Sequence, residues 1–297
     1  FNNPYVRAFS DDAVLKRMSK LRVTAKKMDN VWFLDNAIHI CFGIHDKDGN
    51  YSVWAGTTMQ SIVENTKAPI VFHILHDDTL NEMNKNKLSL IADNSGNGIE
   101  FHHFNPDIFG SLADSMNRFT IGTMFRIMLP DIMPDLKKII YLDSDLFVNT
   151  DIEELWNLNI DNYCLAAAQD CSTIRNWGTP YAVAAGQTSR DRYFNAGVLC
   201  MNLDNIRKNG SLFQQVMDYL NDNPRTWLPD QDALNAIFSG KTLMVDEKWN
   251  YFIDEARKNN EKAEKKIYHY AATLLMLHTN NEIDRAYYFT ILRTPWG

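Results

Sequence analysis

Between residues 38 and 142 the chain alternates short apolar runs with helical stretches, and few architectures accept that order. Residues 38–44 (IHICFGI) read as a buried strand. Residues 54–64 read as a helix carrying Met59, Ile62 and Val63 on one face. A second strand follows at 69–75, a polar helix at 79–90 and a third strand at 99–104. A helix at 121–129 leads to a fourth strand at 138–142. Strands separated by helices form a parallel α/β sheet, because a parallel partner needs a crossover. Ligands on such sheets bind beyond the carboxyl ends of the strands. The second half is less regular, with strands expected at 163–169 and 194–202 and helices at 211–220 and 230–238. The charged stretch 254–266 (DEARKNNEKAEKK) reads as a solvated face or mobile loop. Residues 1–34 read as a helical extension, with Ser10 before Asp11 and Asp12 as its start signal and Leu15, Met18, Leu21 and Val23 as a loose apolar face. No Gly/Ser/Pro linker divides the remainder, so 35–297 is expected to be one domain.

Composition removes several function classes. The 297 residues are 45% hydrophobic and 23% charged, which excludes a collagen, a coiled coil and a disordered tail. Thirty basic against thirty-seven acidic residues give −7, so the chain is not expected to bind nucleic acid, which requires a basic surface. No apolar run approaches the roughly 18–20 residues that span a bilayer. The four cysteines include no CxxC pair, and Cys41, Cys164 and Cys200 sit in apolar runs. Free core thiols of this kind fit a reducing, cytoplasmic compartment.

The strongest chemical signal is KIIYLDSDLFV, an apolar strand running into Asp143, Ser144 and Asp145. Strand alternation puts both carboxylates on one side of the chain. Two adjacent carboxylates repel unless a cation lies between them. Hard oxygen ligands at a strand end suit Mn²⁺ or Mg²⁺, which in turn can grip a diphosphate. Alone, the motif also reads as two solvated turn aspartates. A phosphatase reading fails because Phe147 stands where a Thr is needed. An EF-hand starting at Asp46 fails because Tyr51 and Thr57 stand where Gly and Glu are needed.

Further landmarks follow in order: Asn50-Tyr51 after the first strand, Arg126 in FRIMLPDIM, LAAAQD, YFNAGVLCMNL, DQDALNAIF, KWNY and IYHYA. With YLDSDLFV, this series resembles the family 8 glycosyltransferases over about residues 38–297. Its similarity to the bacterial lipopolysaccharide galactosyl- and glucosyltransferases implies a GT-A fold, a Rossmann-like, mostly parallel sheet flanked by helices, and a retaining reaction. The resemblance implies that Asp143, Ser144 and Asp145 contact metal and donor diphosphate, with His269 as third protein ligand to Mn²⁺ or Mg²⁺. Gly43 and the loop through Asn50 and Tyr51 would hold uracil and ribose, with either Asp46 or Asp48 reading the base. Arg126 would point at the donor. Asp170, Asn195 and Asp230 would contact the donor sugar, and Gln231 would lie near the anomeric carbon. The implied donor is UDP-galactose or UDP-glucose. The implied acceptor is a glycan, a lipid-linked saccharide or a glycoprotein, met in the cytoplasm or at the inner membrane face through segments outside this fragment.

One departure separates the chain from that pattern. Relatives follow the metal histidine with Gly and later Lys-Pro-Trp, whereas 271–278 reads AATLLMLH, with His278 as a partial substitute for the lysine. A sugar-nucleotide or glycan-binding module of weakened activity is therefore the rival reading. Trp177 and Tyr181 are expected in an acceptor lid. His102 and His103 read as too close to share an ion, and His73 and His76 as core or rim residues.

Overall fold

The structure is a computed structural model that describes residues 36–109, 121–271 and 281–297. The helical reading of 1–34 and the departure at 272–278, His278 included, lie outside the described residues. Ile38–Gly297 form one compact unit.

The first half folds in the order read from the sequence. Strand β1 (Ile38–Ile44) leads to helix α1 (Asn50–Asn65), β2 (Ile70–His76), α2 (Glu82–Asn94) and β3 (Gly98–His103). After β3 the chain returns to β4 (Lys138–Leu142), and β5 (Leu146–Val148) follows three residues later. The remaining strands are β6 (Leu165–Ala168), β7 (Val198–Asn202), β8 (Thr242–Val245), β9 (Tyr251–Phe252) and β10 (Ile267–His269). Among the described residues, the main sheet has the order β3-β2-β1-β4-β7-β6-β8. β3, β2, β1 and β4 run parallel, and β7 runs antiparallel to both of its neighbours. The strand order reverses between β1 and β4, so a crevice opens beyond their carboxyl ends. Asp143 lies one residue past β4.

Strands β1 and β2 are buried on both faces, which explains their continuous rather than alternating apolar pattern. One face holds Cys41, Leu75, Phe125 and Tyr141 in its core. The other holds Ile40, Phe42, Ile74, Ile140 and Leu142. Cys41, Cys164 and Cys200 are buried free thiols, as expected. Burial pushes Cys200 up to about 12, so it is an unreactive core residue.

Several element boundaries differ from the sequence reading, and three of them have a clear local reason. Helix α1 starts at Asn50 rather than 54, because Gly49 takes φ 74° and Asp46 Oδ1 accepts the Ser52 N–H at 3.1 Å. Helix α2 starts after Asn81, whose side chain accepts the Asn84 N–H at 2.9 Å. The segment Ile121–Met128 is a 3₁₀ helix followed by a single α-turn, Leu129–Ile132. Pro130 lacks the N–H that an α-helix would direct to the Arg126 carbonyl. Part of the charged stretch is ordered too, as the helix Ile253–Lys258. Among the described residues no helix is long and apolar enough to cross a membrane.

Candidate functional site

A second, small sheet completes the crevice. β10 pairs antiparallel with β5, and His269 stands opposite Leu146. The Tyr270 N–H bonds the Asp145 carbonyl at 2.9 Å. This pairing carries His269 back to the Asp-Ser-Asp corner across more than a hundred residues of sequence. His269 Nε2 lies 3.3 Å from Asp145 Oδ1 and 3.8 Å from Asp143 Oδ2. One ligand atom from each of the three residues falls within 4.8 Å of the others.

The residues present fit a divalent cation. His269 Nδ1 lies 2.8 Å from Asn250 Oδ1, and the Asn250 amide donates onward to Asn195 Oδ1 at 2.8 Å. That bond fixes the Asn250 oxygen toward His269, so Nδ1 carries the proton and Nε2 turns its lone pair toward two carboxylates. Gly197 forms the floor, where a Cβ would come within 2.4 Å of His269 Cε1 and 2.7 Å of Asp143 Oδ2. Ser144 stands between these aspartates in the chain, and its buried Oγ has no hydrogen-bond partner among the described residues. Burial acts against the His269 cation, but Asp145 and Asp143 outweigh it and raise the imidazole above its ordinary value. Burial would likewise raise Asp145, yet His269 brings it below the usual carboxylate range. The site favours positive charge between these groups.

Arg126 is buried beneath the site. Its Nη2 donates to Asp143 Oδ1 at 2.8 Å, its Nε donates to the Thr123 carbonyl at 2.7 Å, and its Nη1 donates to the Ala196 carbonyl. Nε also lies 3.3 Å from Asp230 Oδ2, and the guanidinium sits 4.4 Å from the Tyr141 ring centre. Burial disfavours the cation, but Asp143, Tyr141 and Asp230 reverse that and hold Arg126 charged. Burial pushes the Asp230 carboxyl above its ordinary value, and Arg126 opposes the rise. Removing one member of such a buried pair costs about 3–5 kcal/mol, because the other is left uncompensated.

A polar network lies behind the corner of Asp143, Asp145 and His269. Helix α3 (Cys171–Asn176) is capped by Asp170, whose Oδ1 accepts the Thr173 N–H at 2.8 Å. Asp170 Oδ2 accepts from Gln231 Nε2 at 2.8 Å and from Asn195 Nδ2 at 3.2 Å. Gln231 sits in the first turn of helix α4 (Pro229–Ile237), and its Oε1 accepts the Ala196 N–H at 3.0 Å. Both ends of the Gln231 amide are therefore held. Asp232, one residue on, accepts from Tyr193 Oη and the Ala182 N–H, which ties α4 to the 181–184 turn.

The match to known proteins decides what this arrangement belongs to. Residues 41–278 match the model of the family described as glycosyl transferase family 8. The chain belongs to glycosyltransferase family 8. A Haemophilus influenzae relative is 31% identical over 209 residues, which is 70% of this chain and 62% of the relative. The lipopolysaccharide 1,3-galactosyltransferase of Salmonella typhimurium is 25% identical, with 87% of this chain matched to 79% of that protein. The galactosyltransferase LgtC, solved with donor and acceptor sugar analogues, superposes with a TM-score of 0.74 at 22% identity. That superposition covers 87% of this chain and 96% of LgtC, and it places the fold in the GT-A class.

In this family 8 chain, Asp143, Asp145 and His269 meet at one corner, and Arg126, Asp170, Asn195, Asp230 and Gln231 surround it. The β1–α1 loop is more divided. Asp46 is buried and committed to the Ser52 N–H and to Asn84 Nδ2 at 3.0 Å, whereas Asp48 is exposed. Asn50 and Tyr51 lie in the first turn of α1, and Tyr51 packs edge-on against Trp54 with centroids 4.8 Å apart. Gly43 is required by packing, since a Cβ there would lie 2.7 Å from the Gly122 carbonyl. Asn250, Gly197 and Tyr193 have site roles that were not read from the sequence. All three stand inside quoted landmarks, KWNY and YFNAG, but only the strand pairing shows what they face.

Proposed function

We propose that this chain is a divalent-metal-dependent, retaining hexosyltransferase that moves galactose or glucose from a UDP-sugar to a glycan, a lipid-linked saccharide or a glycoprotein. The observation that carries the reading is the convergence of Asp143, Asp145 and His269 at the end of β4 in a family 8 chain. The names of the Salmonella relative and of LgtC support galactose as the sugar. The proposed setting is the cytoplasm or the inner membrane face, where such acceptors are assembled.

When bound, Mn²⁺ or Mg²⁺ supplies positive charge to the donor diphosphate as the glycosidic bond breaks. Asp143, Asp145 and His269 would hold the ion, and Asn250 keeps His269 in the tautomer that can bind it. Ser144, whose Oγ has no hydrogen-bond partner among the described residues, stands between the two aspartates. Arg126 holds Asp143 and Asp230 in place and adds a fixed positive potential beneath the site. Asp48, Asn50 and Tyr51 line the loop assigned to base and ribose, and Asp46 positions that loop. Asp170, Asn195 and Gln231 set the wall assigned to the sugar.

The residues favour attack by the acceptor on the face that the diphosphate leaves. Gln231 is a neutral amide bonded at both ends, and Asp230 is ion-paired, so both are poor nucleophiles. In this scheme the acceptor oxygen bonds the anomeric carbon, the carbon–phosphate oxygen bond breaks, and the acceptor proton passes to a leaving phosphate oxygen. Trp177, more than half exposed just after α3, offers a ring for the acceptor sugar to stack on. Incubation with UDP-galactose or UDP-glucose and Mn²⁺ is expected to release UDP. Mn²⁺-dependent UDP binding with no release from any UDP-hexose, with any acceptor, would leave a binding module instead.

A further inference from the structure

A second constellation lies on the outer strands of the sheet, away from the Asp143 corner. β2 and β3 pair so that His73 stands beside Glu100 and Leu75 beside His102, while Cys41 of β1 stands beside His73. Strand alternation then puts His39, His73, Glu100 and His102 on one face. His73 Nδ1 lies 3.1 Å from His102 Nε2 and 3.4 Å from Glu100 Oε2, and His102 Nε2 lies 3.7 Å from the same Glu100 oxygen. These three atoms form a nearly equilateral triangle. Tetrahedral Zn²⁺, with bonds of about 2.0–2.1 Å, separates its ligand atoms by about 3.3 Å.

We propose that His73, Glu100 and His102 form a second metal site, suited to Zn²⁺, that clasps the edge of the sheet. Two imidazoles and one carboxylate are the donors that a borderline ion prefers, whereas the Asp143 corner, with two carboxylates, suits a harder one. His39 supplies the support such a site needs. Its Nδ1 lies 2.9 Å from His73 Nε2 and the two rings stack, so the His73 Nε2–H can donate to His39 while Nδ1 turns its lone pair to the ion. Access is open on one side, since the Glu100 side chain is 51% exposed and that of His102 24%. The fourth position is then left to water. β3 is the terminal strand of the sheet, and a metal bridging it to β2 stabilises the edge as a staple does. His102 and His103, read from the sequence as too close to share an ion, alternate faces of β3, and His102 meets His73 across the strands.

The test uses the full chain after chelator treatment, with Zn²⁺ titrated by calorimetry and Co²⁺ as a spectroscopic probe. His102→Ala and Glu100→Gln remove partly exposed ligands and leave the sheet backbone intact, and His269→Ala disables the other site. The wild type is expected to bind Zn²⁺, to melt at higher temperature with it, and to give the strong visible band of tetrahedral Co²⁺. His269→Ala keeps all three properties. His102→Ala loses the band and the thermal shift and binds Zn²⁺ at least about 100-fold more weakly at this site, while UDP release with Mn²⁺ stays within about twofold of the wild type. Loss of the Co²⁺ band in His269→Ala but not in His102→Ala would overturn the proposal. Equal Zn²⁺ stoichiometry and affinity in wild type and His102→Ala would overturn it too, leaving a hydrogen-bonded histidine cluster.

Discussion

At the scale of single residues, the corner of Asp143, Asp145 and His269 depends on side chains that never reach its centre. Asn250 accepts from His269 Nδ1 and is itself anchored on Asn195, whose Oδ1 also accepts the Gly197 N–H at 2.9 Å. One chain of amides thus sets both the tautomer of His269 and the glycine floor beneath it. Asn250→Ala removes the acceptor and frees the ring to rotate or change tautomer. The expected result is an Mn²⁺ affinity about 10- to 100-fold weaker with the fold retained, measured by titration calorimetry alongside circular dichroism. Arg126 follows the same logic with charge, because it contacts two site carboxylates while remaining 2% exposed. The sequence resemblance aimed this arginine at the donor. Its geometry makes it the support of Asp143 and Asp230.

At the scale of elements, the sheet and the starts of α4 and of the helix Leu212–Asp222 were legible, and the starts of α1 and α2 were not. Unbroken apolar runs such as KIIYL have one comfortable environment, a strand covered on both faces, and β4 spans the expected 138–142. The start of α1 was missed because its cap is remote: Asp46 reaches the Ser52 N–H from six residues away, across a left-handed Gly49. Local N-cap rules look for a side chain immediately before the first turn. The same remoteness hid Asn250 and the His73–His102 pair, since strand pairing rather than sequence spacing brings them to their partners. What could be read was the chemistry stored in contiguous motifs, namely Asp143 and Asp145, Asp230 and Gln231, and His269. Asp46 yields a prediction of its own. Asp46→Ala removes the α1 cap and leaves Asn84 Nδ2 without its acceptor, so the melting temperature should fall by the equivalent of about 1–2 kcal/mol. An unchanged melting temperature would show that α1 does not depend on this cap.

At the scale of the whole molecule, the last residues close back on the first helix. Trp296 covers Gly56, where a Cβ would lie 2.4 Å from the indole, and its Nε1 donates to Asn84 Oδ1 at 3.3 Å. Arg293 clasps Glu64 with two 2.7 Å bonds. Burial tends to raise the Glu64 carboxyl, but Arg293 and Gln60 outweigh it and lower it below the ordinary value. A depressed carboxyl stabilises the fold above its unfolded pKa, and that contribution is lost as pH falls through the folded value. Half of the Arg293 side chain is exposed, so screening keeps the pair below about 1 kcal/mol. Arg293→Ala should therefore melt slightly lower than the wild type at neutral pH, and thermal scans should show the difference closing in acid. The closure bears on the candidate site because α1 carries Asn50 and Tyr51 at its start and, through Thr58 Oγ1, donates to the Ser144 and Leu146 carbonyls beside Asp145 at 2.8 and 2.7 Å. The central claim is that this corner holds a divalent ion for a nucleotide diphosphate. Its most direct test is calorimetric titration of UDP with and without Mn²⁺ into the wild type and Asp145→Asn. Mn²⁺ should tighten UDP binding in the wild type and have no effect in the variant, with both proteins equally folded. Equal Mn²⁺-dependent UDP affinity in the two proteins would contradict the assignment.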